Sequence, residues 1–111
     1  MKKIFSVAIL SLFSLPSFAV FTTAKIDRIL FYEQSNLIYI FPEGGVQNPP
    51  ACHGSNGDYY SYKLSRPMAK EYVSALMSAM YAKKTVTFRH YNDCIDQSVS
   101  VTLRYFIIKA G

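Results

Sequence analysis

Between Ser65 and Lys84 the chain carries its one clear amphipathic pattern. Ala69, Tyr72, Val73, Leu76, Ala79 and Met80 recur at spacings of three and four, with Lys70, Glu71, Ser74, Ser78 and Lys83 largely between them, which predicts a helix with one apolar stripe. Ser65 suits the cap, and Pro67 suits the first turn, where its missing N–H is no loss. Lys83 and Lys84 suit the negative end. A striped helix needs a surface to lie on, and the flanking segments offer only strands.

Two of those segments, Lys25–Tyr32 and Leu37–Phe41, are joined by the turn Glu33-Gln34-Ser35-Asn36 and are apolar on both faces. That predicts a cover on each face, the second supplied by the helix or by another protomer. In the third strand, Tyr59–Leu64, Tyr60, Tyr62 and Leu64 share one face and Tyr59, Ser61 and Lys63 the other. After the helix, Thr85–Tyr91 alternates Val86, Phe88 and His90 against Thr87, Arg89 and Tyr91. The final strand, Ser98–Ile108, is expected to turn Val99, Val101, Leu103, Tyr105 and Ile107 inward and Ser98, Ser100, Thr102 and Arg104 outward, a pattern that Phe106 and Ile108 interrupt. The fold class is therefore mainly β with one helix, β-β-β-α-β-β, the chain order of a small OB-fold-like barrel, with a half-open α+β sheet as the alternative.

Lys2 and Lys3, the apolar run Ile4–Leu15, Pro16 and the small-x-small site Ser17-Phe18-Ala19 read as a signal peptide over residues 1–19, cut after Ala19, with a cut after Ala24 as the fallback. A single domain, 20–111, remains. The apolar run is short for a bilayer span and no stop-transfer segment follows, so a periplasmic or secreted protein with no stable membrane anchor is expected. Removing the two leader lysines lowers the formal charge from +5 to +3, and so mild a charge on an exported chain gives no reason to expect nucleic acid. Cys52 and Cys94 are the only cysteines, and export to an oxidising compartment predicts that they pair. Closing that loop is worth roughly 4 kcal/mol on the chain-entropy model. No cofactor and no metal is expected, since two cysteines and two scattered histidines lack ligand spacing.

No catalytic constellation stands out, and the chain reads as a non-enzymatic protein. His53 and His90 are the only general-base candidates of the usual kind, with Lys63 or Arg89 as phosphate holders, and their spacing supports nothing specific. Gly44-Gly45 lacks the strand-to-helix setting of a phosphate loop. Binding is better supported. Tyr59, Ser61 and Lys63 on one strand face, with Arg89 and Tyr91 on another, make an aromatic and polar set suited to a sugar or peptide. The irregular segment from Pro42 to Asp58, pinned by Cys52, suggests a rival role: a periplasmic inhibitor or accessory protein that inserts this loop into a partner.

Cys52 ahead of a Gly-rich turn, Tyr59-Tyr60-Ser61-Tyr62, the helical Tyr72-Val73-Ser74-Ala75-Leu76 and Ser78-Ala79-Met80-Tyr81-Ala82, Lys84-Thr85-Val86-Thr87-Phe88 leading to Cys94, and the closing Val99–Ile107 stretch carry a resemblance. Together they resemble the family of small secreted bacterial OB-fold proteins similar to the B subunit of subtilase cytotoxin. The resemblance spans roughly the last two-thirds of the exported part. It implies a toxin-B-subunit-like, carbohydrate-binding protein that recognises a glycan or glycoprotein, forms a homo-oligomer (a pentameric ring) and serves a toxin A subunit. It also implies that Arg89, His90 and Tyr91 match a segment of the family's sialoglycan pocket.

Overall fold

The computed structural model describes residues 21–54 and 58–110. The leader reading of residues 1–19, and residues 55–57 of the long irregular segment, lie outside the described residues.

Among the described residues six strands and one α-helix follow in the order β1 (Phe21–Ala24), β2 (Ile26–Tyr32), β3 (Leu37–Pro42), β4 (Tyr60–Lys63), α1 (Ala69–Tyr81), β5 (Val86–His90) and β6 (Leu103–Ile108), with a 3-10 turn at Glu33–Ser35 between β2 and β3. The protein is mainly β, as expected. Its strands form two antiparallel three-stranded sheets, β1-β5-β6 and β2-β3-β4, neither of which closes on itself. The expected first strand is longer at its start and broken at Lys25: Phe21–Ala24 pairs with β5, and Ile26–Tyr32 pairs with β3. Asn36, left-handed at φ 55°, closes the turn between β2 and β3.

The helix is shorter than the sequence pattern suggests. Its first residue is Ala69, preceded by Met68 in the left-handed region (φ 62°), and Ser65 does not cap it. Turns occupy the segment before it, where the Tyr62 hydroxyl donates to the Pro67 carbonyl (3.1 Å) and so fixes the chain in a non-helical path. At the other end Lys83 takes a left-handed conformation (φ 55°), and Lys84 N–H returns to Ala79 O (2.9 Å). That backbone reversal stops the helix before the two lysines. The apolar stripe survives: Ala69, Leu76 and Ala79 are buried, and Tyr72 stacks on Tyr62 (5.0 Å) and meets Phe106 edge-on (4.7 Å). The stripe seals a core built from the inner faces of both sheets, including Ile38, Ile40, Tyr60, Val86, Phe88 and Leu103.

On the outer side of β3, Leu37 and Phe41 are also buried. Phe41's neighbours there include the chain's own strand side chains. Arg28 lies over the Phe41 ring at 4.1 Å, and Tyr59 stacks on Tyr39 at 4.2 Å and leans on Phe41 at 5.1 Å.

The last strand differs most from expectation. Regular pairing begins only at Leu103, and a bulge lies where Arg89 faces Tyr105 but His90 faces Leu103, leaving Arg104 extra. The bulge shifts the alternation by one residue, so Phe106 takes the inner side opposite Phe88, while Tyr105 and Ile107 turn outward. Before the bulge, Ser100 and Thr102 are buried and Val99 is exposed. Burial is permitted because both hydroxyls are bonded: Ser100 Oγ donates to Tyr59 O (2.7 Å), and Thr102 Oγ1 accepts the Ile95 and Asp96 N–H groups (2.9 Å each).

This 98–102 segment is the seam between the sheets. Ser61 N–H donates to Val101 O (3.1 Å), and Ser61 and Thr102 form a parallel bridge. The Cys52–Cys94 disulfide is formed. It holds the long loop against the seam, where Gly54 N–H donates to Val99 O (2.8 Å). His53 completes the tie: its Nδ1 accepts the Val101 N–H (2.9 Å) and its Nε2–H donates to Asp58 Oδ1 (2.9 Å). Removing that ring leaves the buried Val101 N–H without its acceptor and the Asp58 carboxylate with the Val46 N–H alone. His53→Ala is therefore expected to cost about 1–2 kcal/mol, read as a fall in urea midpoint. A midpoint equal to that of the parent would show that His53 is not a strut.

Candidate functional site

Alternation along β5 buries Val86, Phe88 and His90 and turns Thr87 and Arg89 outward. Register then places a ring on each side of Arg89, with Phe21 of β1 and Tyr105 of β6 both paired to it. The guanidinium lies 5.6 Å from the Phe21 ring centre and 5.7 Å from that of Tyr105. Thr23 and Thr87, the neighbouring pair, bring their hydroxyls within 3.3 Å of each other. Among the described residues Arg89 makes no ion pair. A guanidinium lodged between rings and lacking a carboxylate keeps its N–H donors for a ligand's carboxylate or hydroxyls.

Just past β5, Tyr91 is flanked by two more guanidiniums, Arg66 at 5.4 Å and Arg104 at 5.6 Å. Arg66 is committed elsewhere. It forks onto Asp96 with contacts of 2.6 and 2.8 Å, and Asp96 also accepts the Lys63 N–H (2.8 Å). Burial alone would raise the Asp96 pKa, but the Arg66 fork and the Lys63 N–H outweigh it and hold the carboxyl below its ordinary range.

The residues expected to bind do not form one patch. Tyr59 stacks on Tyr39, and its hydroxyl receives Gln97 Nε2 (3.2 Å). Ser61 is fully buried beneath the seam, its hydroxyl donating to Ser100 O (3.2 Å), so it cannot touch a ligand there. Lys63 is exposed at the far end of β4, Arg89 sits on the outer face of the other sheet, and Tyr91 lies beside Arg66 and Arg104. His90 is buried, its Nδ1–H donating to Tyr91 O (2.8 Å). Among the described residues His90 Nε2 and the Tyr60 hydroxyl find no hydrogen-bond partner, and burial pushes the Tyr60 phenol well above its usual range. His53 spends both ring nitrogens on the seam, so neither is free to take a substrate's proton.

Phe21 and Tyr105, the two rings that frame Arg89, were not singled out by sequence reasoning. Phe21 opens a Thr-rich segment of good strand propensity, and Tyr105 lies beside the break in alternation at Phe106 that marks the bulge. Among the described residues no His, Cys, Asp or Glu cluster could hold a metal ion, and no helix is long and apolar enough to cross a membrane. No protein-family model matches the chain, and no curated protein matches it.

Proposed function

We propose that this chain is an exported, non-enzymatic binding protein that recognises glycans through the outer face of β1-β5-β6 and joins copies of itself edge to edge, in the manner of a toxin B subunit. The observation that carries the reading is Arg89, set between Phe21 and Tyr105 with no carboxylate of its own. Rings give a sugar an apolar floor, and a free guanidinium favours one that bears a carboxylate.

An OB-like barrel is the architecture we infer for it. If β1 and β2 are two halves of one strand kinked at Lys25, pairing runs from β4 through β3 and that strand to β5 and β6. The parallel Ser61–Thr102 bridge then joins the two remaining edges. Ring assembly is supported by exposed apolar side chains on two strands: Leu30, Phe31 and Tyr32 on β2, and Ile107 and Ile108 at the end of β6, beyond the Ser61–Thr102 bridge. Pairing of unlike edges is a head-to-tail contact, which closes into a ring when the rotation allows. Export to the periplasm or beyond fits the disulfide. Cleavage after Ala19 leaves β1 whole, whereas cleavage after Ala24 would remove it.

The oxidised protein is expected to retain carboxylate-bearing oligosaccharides on a glycan array, with at least about tenfold weaker retention by Arg89→Ala, the equivalent of losing one charge-assisted contact. A protein that retains no glycan and sediments as a monomer would overturn the proposal. A second reading, the inhibitor acting through the 42–58 loop, is favoured by the ties that hold its residues 47–54: the disulfide, Gly54 N–H to Val99 O, and Gln47 N–H to Thr22 Oγ1 (2.9 Å). Co-purification of a partner from periplasmic extract, lost when the loop tip is removed, distinguishes it.

A further inference from the structure

Away from the Arg89 face, two depressions meet at Asp27 and Glu43, which line both. One, of about 480 Å³, continues past Arg28, Phe41, Gly45 and Asp58. The other, of about 410 Å³, continues past Lys25, Tyr81 and Lys83 at the end of α1. Each lies within the usual size of small-molecule clefts.

Backbone geometry places the carboxylates. Ile26 pairs with Pro42 and Arg28 with Phe41, so Asp27 is the extra residue of a bulge, a device that re-aims a side chain. Glu43 is held next to it by its N–H bond to Lys25 O (2.9 Å). Gly45 is left-handed (φ 86°), and a Cβ there would collide with the Asp58 carboxylate. Asp58 is in turn fixed by the Val46 N–H (3.2 Å) and His53 Nε2. On the helix side, Tyr81 is 74% exposed.

Charge decides the ligand class. Asp27, Glu43 and Asp58 are balanced by Lys25, Arg28 and Lys83, and Arg28 already donates to Asp27, so a formal ion of either sign gains little from the groove as a whole. A neutral ligand dense in hydroxyls gains from both signs, because each hydroxyl donates to a carboxylate while accepting from a guanidinium or ammonium. Tyr81 offers its ring to the ligand's C–H face. We infer that this groove binds an uncharged saccharide, at a subsite separate from Arg89, so that each protomer can engage glycan at two places. The inference stands whether or not the Arg89 face binds an acidic sugar.

The test applies the oxidised full chain to an array of uncharged oligosaccharides and titrates the best-retained one calorimetrically. Binding is expected to fall at least about tenfold in Asp27→Asn/Glu43→Gln and, separately, in Tyr81→Ala, the loss of a hydrogen bond to a charged group or of a ring contact. Glu71→Gln, on the exposed helix surface, should bind like the parent. All these side chains are exposed, and matching thermal melts confirm that the variants fold. No retention of any uncharged sugar, or retention that survives both groove variants, overturns the inference. Acidic sugars printed beside the uncharged ones report on Arg89, so failure of one site is legible beside success of the other.

Discussion

Replacing both cysteines by serine should lower the unfolding free energy by about 4 kcal/mol and the melting temperature by on the order of 20 °C. The bond joins residues 42 apart in sequence, so its loss releases a long stretch of unfolded chain from a closed loop. A domain of this size has only about 5–10 kcal/mol of stability in all, so the change removes a large share of it. The folded contacts around the bond do not depend on sulfur. His53 still reaches Asp58 and Val101, and Gly54 N–H still reaches Val99 O, so the double serine variant should keep the parent's spectrum at low temperature. Urea unfolding of oxidised parent and variant gives the measurement. A variant midpoint within error of the parent would mean that the loop is already closed in the unfolded chain, or that the disulfide strains the fold as much as it constrains it.

The cysteine pair was legible because a chain with only two cysteines allows one pairing. Alternation in Thr85–Tyr91 was legible for a related reason: β5 is central in its sheet, with one face in the core, and Val86, Phe88 and His90 obey a strict period of two. The failures share another cause. Left-handed Met68 delays the start of the helix to Ala69, after the Tyr62 hydroxyl has bonded Pro67 O, and the helical spacing carries neither. Arg104 is extra because of where Arg89 and His90 fall on the partner strand, so only the out-of-phase Phe106 and Ile108 betrayed it. Phe21–Ala24 becomes a strand because β5, far along the chain, supplies its partner. The candidate site suffered most from this. Arg89 could be named from its strand face, but the rings beside it are set by register across two sheet neighbours, and Ser61, apparently outward, is covered by a segment expected to be regular strand.

Asp96→Asn should destabilise the protein by about 2–3 kcal/mol at neutral pH, toward the lower end for breaking a buried ion pair because Arg66 keeps some contact with water. The Asp96 side chain is 5% exposed and that of Arg66 24%. Asparagine preserves shape and an acceptor for the Lys63 N–H but removes the charge, leaving the guanidinium over the rings of Tyr62 and Tyr91 with only a neutral amide to face. The cost also depends on pH, and its direction follows from the lowered pKa of Asp96 in the folded protein. In the unfolded chain an aspartate titrates near about 3.9. Above that value the folded state holds the full benefit of the charged pair. As pH falls through it toward the lower folded value, the unfolded chain takes up a proton that the folded protein resists, and the benefit drains away. Parent and Asp96→Asn stabilities, measured by urea unfolding across this acidic range, should therefore converge as pH falls, with the parent losing more. A gap that stays constant with pH would show that the shape of this side chain, and not its charge, anchors Arg66 at the seam.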